Sequence, residues 1–298
     1  KSALHLSAFL NSENIFCEYT VTSWEDCRNL FKVIEDWVFR GQSNSDWSLQ
    51  TTLERGASIN SSNIRDIPKI EKKILDKFQR RAFHYLERPP EKENILEWLS
   101  LIQHYGGPTR LLDFSYSYYV SLFFSIDQAL QESAVYCLNK DFIYKKGLET
   151  EKNRSLDNDV IFGSREYCNN ALKEQTLSPL VMLVEPFHIH ERLSKQQGLF
   201  AIPFEGQQSF EYNLSLTINS YQKALPKSKK IKNYNEMAEM LKDECALLKV
   251  KIPKEFHNEI RKDLKLMNIT NETLFPGIDG FSKSLFGEFD LKNSSNIV

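Results

Sequence analysis

The chain has 298 residues, 41% hydrophobic and 12% aromatic with 20 phenylalanines, enough for a substantial core and too apolar for a disordered segment. A formal net charge of -2 gives no global basic footprint, so nucleic-acid binding is not the default reading, although a local basic patch stays open. The five cysteines, Cys17, Cys27, Cys137, Cys168 and Cys245, are odd in number and lack CxxC or Cys/His ligand spacing, so they read as reduced packing residues. No run approaches the roughly 20 apolar residues that span a bilayer, and the N-terminus has no signal-peptide apolar region. A cytoplasmic protein with no membrane partner is the simplest expectation. The chain opens on Lys1, so a few residues are expected to precede it.

Residues 1–20 carry no clean period and read as an N-terminal extension. Thr22-Ser23-Trp24-Glu25 has the pattern of a helix start with Ser23 as N-cap, leading through Leu30, Phe31 and Ile34. That helix delivers the chain to Trp37-Val38-Phe39-Arg40-Gly41-Gln42, a strand-forming run that carries a permanent cation. A buried guanidinium costs several kcal/mol unless something satisfies it, so Arg40 either pairs internally or receives an anionic ligand. Gly41 permits close approach of a backbone or a ligand. Ser43 to Asp46 is a turn, and Trp47, Leu49 and Leu53 are expected in the core.

Apolar positions recur at helical spacing from Pro68 to Glu87 and from Asn94 to Tyr105, where Gly106-Gly107-Pro108 ends the pattern. Thr109 to Phe114 reads as extended, Tyr118 to Leu130 as an almost wholly apolar helix, and Ala134 to Leu138 as a buried strand. Residues 139–178 are charged and weakly patterned and read as an insertion or mobile surface excursion. Strand patterns return at Leu180–Pro186 and Gly198–Pro203, with a short, polar and basic stretch between them. Lys223 to Lys232 is a cationic loop. A helix to about Lys242, a strand from Cys245 to Ile252, a helix from Lys254 to Met267 and a final segment from Asn271 to Phe289 complete the pattern. Strands and helices intersperse without regular βαβ spacing, and no Gly-rich phosphate loop is present, so the class is α+β.

Five motifs then stand in order: Phe39-Arg40-Gly41-Gln42; Trp47-Ser48-Leu49 with Leu53-Glu54-Arg55; Gln103-His104-Tyr105-Gly106 with Pro108 to Asp113; Gln196-Gln197-Gly198-Leu199-Phe200; and Leu274 to Gly280. Together they resemble the FRG domain family, bacterial and phage-associated, over residues 21–290, with the charged insertion near 139–178 inside it and 291–298 as a C-terminal tail. A second similarity is to arginine-type ADP-ribosyltransferases, in which an arginine strand, a serine strand leading into a helix, and a later glutamate surround NAD. That resemblance implies a split mixed or antiparallel sheet flanked by helices. It implies NAD as substrate, and catalytic roles for Arg40, Ser115 and Gln197. Gln197 stands where the pattern carries glutamate. An amide can hydrogen-bond a ribose hydroxyl but cannot bear the charge that stabilises an oxocarbenium-like centre.

On this reading Arg40, Gly41, Gln42, Arg110, Asp113 and Tyr116 contact the dinucleotide. Asp113 is alternatively the counter-ion of Arg40, Arg110 a second phosphate clamp, and Tyr116 either an aromatic face for the nicotinamide or a core residue. His104 closes a helix and reads as a partner of its dipole. His188 and His190 with Glu185 are a weak candidate for a metal set, and no metal is expected. The activity implied is transfer of ADP-ribose to a macromolecule or cleavage of NAD, as a toxin or anti-phage effector, with an unknown acceptor and a cognate control protein as candidate partners. The rival reading is a non-catalytic module for nucleotide or nucleic-acid phosphate. A nuclease is a third, set back by the lack of a dense carboxylate and histidine cluster.

Overall fold

A computed structural model describes residues 15–152, 162–174, 179–188, 190–218, 241 and 246–285. Seven strands form one mixed sheet: β1 (Cys17–Thr20), β2 (Val38–Gln42), β3 (Leu112–Ser115), β4 (Ser133–Leu138), β5 (Val181–Val184), β6 (Gly198–Pro203) and β7 (Leu247–Ile252). Their order is β1-β7-β4-β2-β3-β6-β5. Only the β1–β7 pair is parallel; the other registered pairs are antiparallel. The fold is therefore α+β, as the interspersed pattern predicts.

The helices are α1 (Trp24–Val33), α2 (Thr52–Ile59), α3 (Ile67–Ala82), α4 (Ile95–His104), α5 (Tyr118–Ile126), α6 (Lys140–Lys152), α7 (Arg165–Glu174), α8 (Glu191–Lys195), α9 (Phe210–Ile218), α10 (His257–Leu266), α11 (Asn271–Leu274) and α12 (Ile278–Ser284). Local chemistry sets several of their ends. Ser23 Oγ accepts from the Asp26 N–H at 3.0 Å and so caps α1, where the sequence places the cap. Thr51 and Glu54 form a capping box at α2, and the other oxygen of Glu54 accepts from the Phe210 N–H at 2.8 Å. One buried carboxylate thus fixes both α2 and α9, and burial pushes its pKa up.

Alternation along the strands sends side chains to two faces. On one face Phe39, Val135, Cys137, Leu248 and Val250 pack against α1, α5 and α10. On the same side of the other half, Met182, Val184, Phe200 and Ile202 pack against Leu96 and Leu99 of α4 and against α7. The opposite face, with Val38, Tyr136, Leu112, Phe114, Leu199 and Ala201, is covered by α9 and by Ile143 of α6. Each such fully buried side chain contributes about 1.5–3 kcal/mol by leaving water. The first face is thus covered by two separate helical layers.

Three expectations are revised here. Residues 139–178 contain α6 and α7, whose Ile143, Cys168, Ala171 and Leu172 are buried in the core, so the described part of this stretch is integral to the fold. The stretch of 1–20 contributes β1 at one edge of the sheet. Trp47 is 56% exposed. The cationic loop at Lys223 to Lys232, the end of the helix near Lys242, Cys245 and the tail at 291–298 lie outside the described residues.

Candidate functional site

Strand β2 keeps five registered residues with β4, from Val38↔Leu138 to Gln42↔Ala134, and β3 keeps four with β6. Between β2 and β3 a single pair, Phe39↔Ser115, is registered. The sheet splits beyond that pair, and a cleft of about 780 Å³ opens there. Its walls come from β2 and the chain after it (Phe39 to Ser43, Asp46 to Ser48, Gln50, Arg55), from β3 (Asp113 to Ser115), from α5 (Val120, Ser121, Phe124) and from Arg192 and Gln196.

Glycine is required at position 41. A Cβ there would fall inside contact distance of the main-chain Ser121 O and Ser125 N, so α5 lies directly on β2. This close packing places the next residues of the motif at the split.

Arg40 crosses the gap. Its Nη1 donates to the Asp113 carbonyl at 2.7 Å, and its Nε is buried with no partner among the described residues. Burial lowers the Arg40 pKa; the Asp113 carboxylate opposes this and the Arg55 cation adds to it. Arg55 reaches the cleft from α2, held by a bond from Nη1 to the Gln50 carbonyl at 2.7 Å. Arg192, on α8, lies 4.7 Å from the Phe275 ring centroid. Three guanidinium groups thus serve one cleft, an arrangement suited to a polyphosphate.

Asp113 does not bond Arg40 through its carboxylate. Oδ2 accepts from Gln103 Nε2 at 2.9 Å, and Gln103 Oε1 accepts from the Thr109 hydroxyl at 2.5 Å. The chain Thr109–Gln103–Asp113 gives the second motif its purpose, holding a carboxylate at the rim. Ser115 Oγ donates to the Gln196 carbonyl at 2.7 Å and accepts from the Ser117 N–H at 2.9 Å, which ties β3 to the turn before β6. Gln196 Nε2 donates to the Leu274 carbonyl at 3.0 Å. The Leu274–Gly280 motif, expected to dock the C-terminal helix, also backs the cleft through Phe275, whose ring is 5.9 Å from that of Phe124.

Arg40, Gly41, Gln42, Asp113 and Ser115 therefore converge on the cleft, and Arg110, Tyr116 and Gln197 do not. Arg110 is buried and spends its donors elsewhere. Nε bonds Glu71 at 2.8 Å and 2.9 Å, Nη2 bonds the same carboxylate, and Nη1 bonds the Pro203 and Phe204 carbonyls. Burial is the largest single influence and lowers the Arg110 pKa, but the Glu71 charge and hydrogen bonds together, with smaller help from Glu205, raise it overall. Tyr116 lines a second cleft of about 530 Å³ and donates its hydroxyl to Glu185 at 2.8 Å. Gln197 is exposed with φ 47°, and its carbonyl accepts from the Tyr116 N–H at 2.9 Å.

His104 stacks on His190 with ring centroids 4.2 Å apart, and the Nδ1 atoms of both are buried without partners among the described residues. Burial lowers both pKa values, that of His190 to about 4. His188 pairs with Glu97 at 3.3 Å and Glu185 with Tyr116, so the candidate metal set disperses. Among the described residues no three His, Cys, Asp or Glu groups come together as ligands, and no helix is long and apolar enough to cross a membrane. Arg55, Arg192, Gln196 and Trp47 are cleft residues that the sequence reading did not assign. Three of them lie inside the motifs already noted, and Arg192 lies in the basic stretch between β5 and β6.

Fold and site define an α+β protein with an arginine-lined cleft at the split of a mixed sheet. Residues 35–134 match the family model of the FRG domain, and the matched stretch holds β2, β3 and α5 with Arg40, Asp113 and Ser115. No curated protein and no solved structure matches the chain.

Proposed function

We propose that the cleft binds NAD and that the protein cleaves it at the nicotinamide ribose, passing ADP-ribose to a macromolecule or to water. The observation that carries this reading is Arg40: a cation at the split of the sheet, bonded to a main-chain carbonyl instead of a carboxylate, with its Nε buried and unpartnered. Such a group gains most from a bound anion, and Arg55 and Arg192 supply further donors for a pyrophosphate. The positions that the resemblance singles out also support it. Arg40, Ser115 and the Gln196-Gln197 turn lie on or beside the neighbouring strands β2, β3 and β6.

Breaking the glycosidic bond sends its electron pair to nicotinamide and leaves positive charge on the ribose. Asp113, fixed by Gln103, is the carboxylate placed to offset that charge, and the cleft amide beside it is Gln196, one residue before Gln197, the position where the related pattern has glutamate. An acceptor nucleophile then closes the new bond and loses its proton to solvent. Depletion of NAD or modification of an essential macromolecule would suit an intracellular effector.

Incubation of the purified protein with NAD, following nicotinamide release with and without a cell extract, tests the reading. Release that requires extract identifies a transferase, and release without it a hydrolase. NAD binding with no release in either condition would leave a binding module and overturn the enzymatic proposal.

A further inference from the structure

Trp47 carries apolar bulk that the sequence pattern assigns to the core, and the fold leaves it on the cleft wall. It is 56% exposed, whereas Trp24, Trp37 and Trp98 are 3%, 7% and 1% exposed. The exposure is not that of a loose loop. The Trp47 N–H donates to the Asn44 carbonyl at 3.3 Å, and its carbonyl accepts from the hydroxyl of buried Tyr136 at 2.5 Å. A large flat ring on a braced backbone, facing a cleft, is a stacking surface in need of a planar partner.

A second observation concerns Gln42 on the same wall. It is 8% exposed, and its Nε2 donates to the Ser48 carbonyl at 3.3 Å. Its Oε1 is buried with no donor among the described residues. Buried amide oxygens in native proteins have partners, so this one calls for an N–H or O–H from outside the chain. Arg55 lies on the same side of the split and supplies positive charge. A planar ring bearing an amino group and joined to phosphate satisfies all three groups.

We infer that Trp47 and Gln42 form a base subsite for adenine, the ring stacking on Trp47 and its exocyclic amino group donating to Gln42 Oε1. The inference rests on the NAD reading. It orients the dinucleotide: Ser115 and Gln196 lie across the split, on the β3 and β6 side, so the nicotinamide ribose faces them and Arg40 holds the pyrophosphate between.

All four tryptophans emit, so the Trp47 signal is the part of the intrinsic fluorescence that Trp47→Leu removes. NAD, ADP-ribose and AMP are expected to quench it, and nicotinamide mononucleotide to leave it unchanged. Calorimetry in parallel should find the Trp47→Leu variant binding NAD about 5- to 100-fold more weakly, the range of one lost base stack. The hypoxanthine analogue of NAD, which presents an oxygen in place of the amino group, should bind the unaltered protein about tenfold more weakly, a comparison that needs no variant to fold. NAD binding that Trp47→Leu leaves unchanged, quenching by nicotinamide mononucleotide equal to that by NAD, or equal affinity for the hypoxanthine analogue would overturn the subsite while leaving the NAD reading intact. Absence of any NAD binding would overturn both.

Discussion

Arg40 is bound to Asp113 through the main-chain carbonyl and not through the carboxylate, 2.7 Å from Nη1 to O. One side chain thereby spans the place where β2 and β3 part, and the Asp113 carboxylate is left to Gln103. The split is braced by a group that still has donors to offer, so bracing the gap and binding an anion need not compete.

Replacement of Arg40 by Ala should abolish NAD binding, a loss of about 100-fold or more, because a charge-assisted and partly buried contact disappears with nothing to replace it. Stability should change little, since Arg40 is only half-buried and the variant trades its bond to the Asp113 carbonyl against the cost of holding a cation there. Lysine, which lacks the planar fork, should recover at most a small part of the affinity. Calorimetry with NAD, alongside thermal unfolding of each variant, gives both answers; an unfolded Arg40→Ala protein would make Arg40 a structural brace alone.

At Gly41 the cost lies in the fold. The neighbours that an added Cβ would strike are main-chain atoms of α5, which cannot rotate away. Gly41→Ala should destabilise by about 2–3 kcal/mol or more as α5 is pushed off β2, read as a lowered denaturation midpoint. Because α5 carries Ser121 and Phe124 into the cleft, NAD affinity should fall with it.

Much of this architecture is legible in the residues. Apolar runs became β3, β4, β5 and β6, the last two bounded by proline, and Ser23 and Pro68 mark the starts of their helices. Strand β1 escaped because four residues with half-buried Cys17 and Tyr19 give too short a period. Helices α6 and α7 escaped because each buries few side chains beneath a charged surface. At the site, motif order located Arg40, Asp113 and Ser115, but not their partners. Nothing local links Arg110 to Glu71, 39 residues earlier, and hydrophobic patterning cannot tell a tryptophan in a core from one lining a cleft.

That buried pair can be separated from the site by experiment. Glu71→Ala leaves Arg110 buried without its counter-charge and should cost about 3–5 kcal/mol of stability. Nicotinamide release per folded molecule should be unchanged, since neither residue lines the cleft. A variant that keeps its stability and loses NAD binding would return Arg110 to the site.

The histidine pair sets a pH dependence whose sign follows from burial. Around His190 stand His104 and Ser100 of α4, Arg192 of α8 and Asp113 of β3; burial first, and then the His104 charge, lower its pKa to about 4. An unfolded histidine titrates near 6.5. Above that value both states are neutral and the group contributes nothing to pH dependence. As pH falls from about 6.5 toward 4 the unfolded chain takes up a proton that the folded one refuses, so stability declines across that window and levels off below it. Half-exposure of the ring discounts the loss to about 1–2 kcal/mol. His104, lowered in the same way, steepens the decline. Denaturation midpoints measured from pH 7 to pH 4 should therefore fall less steeply in His190→Gln than in the unaltered protein, and equal slopes would mean that the pair is already charged in the fold.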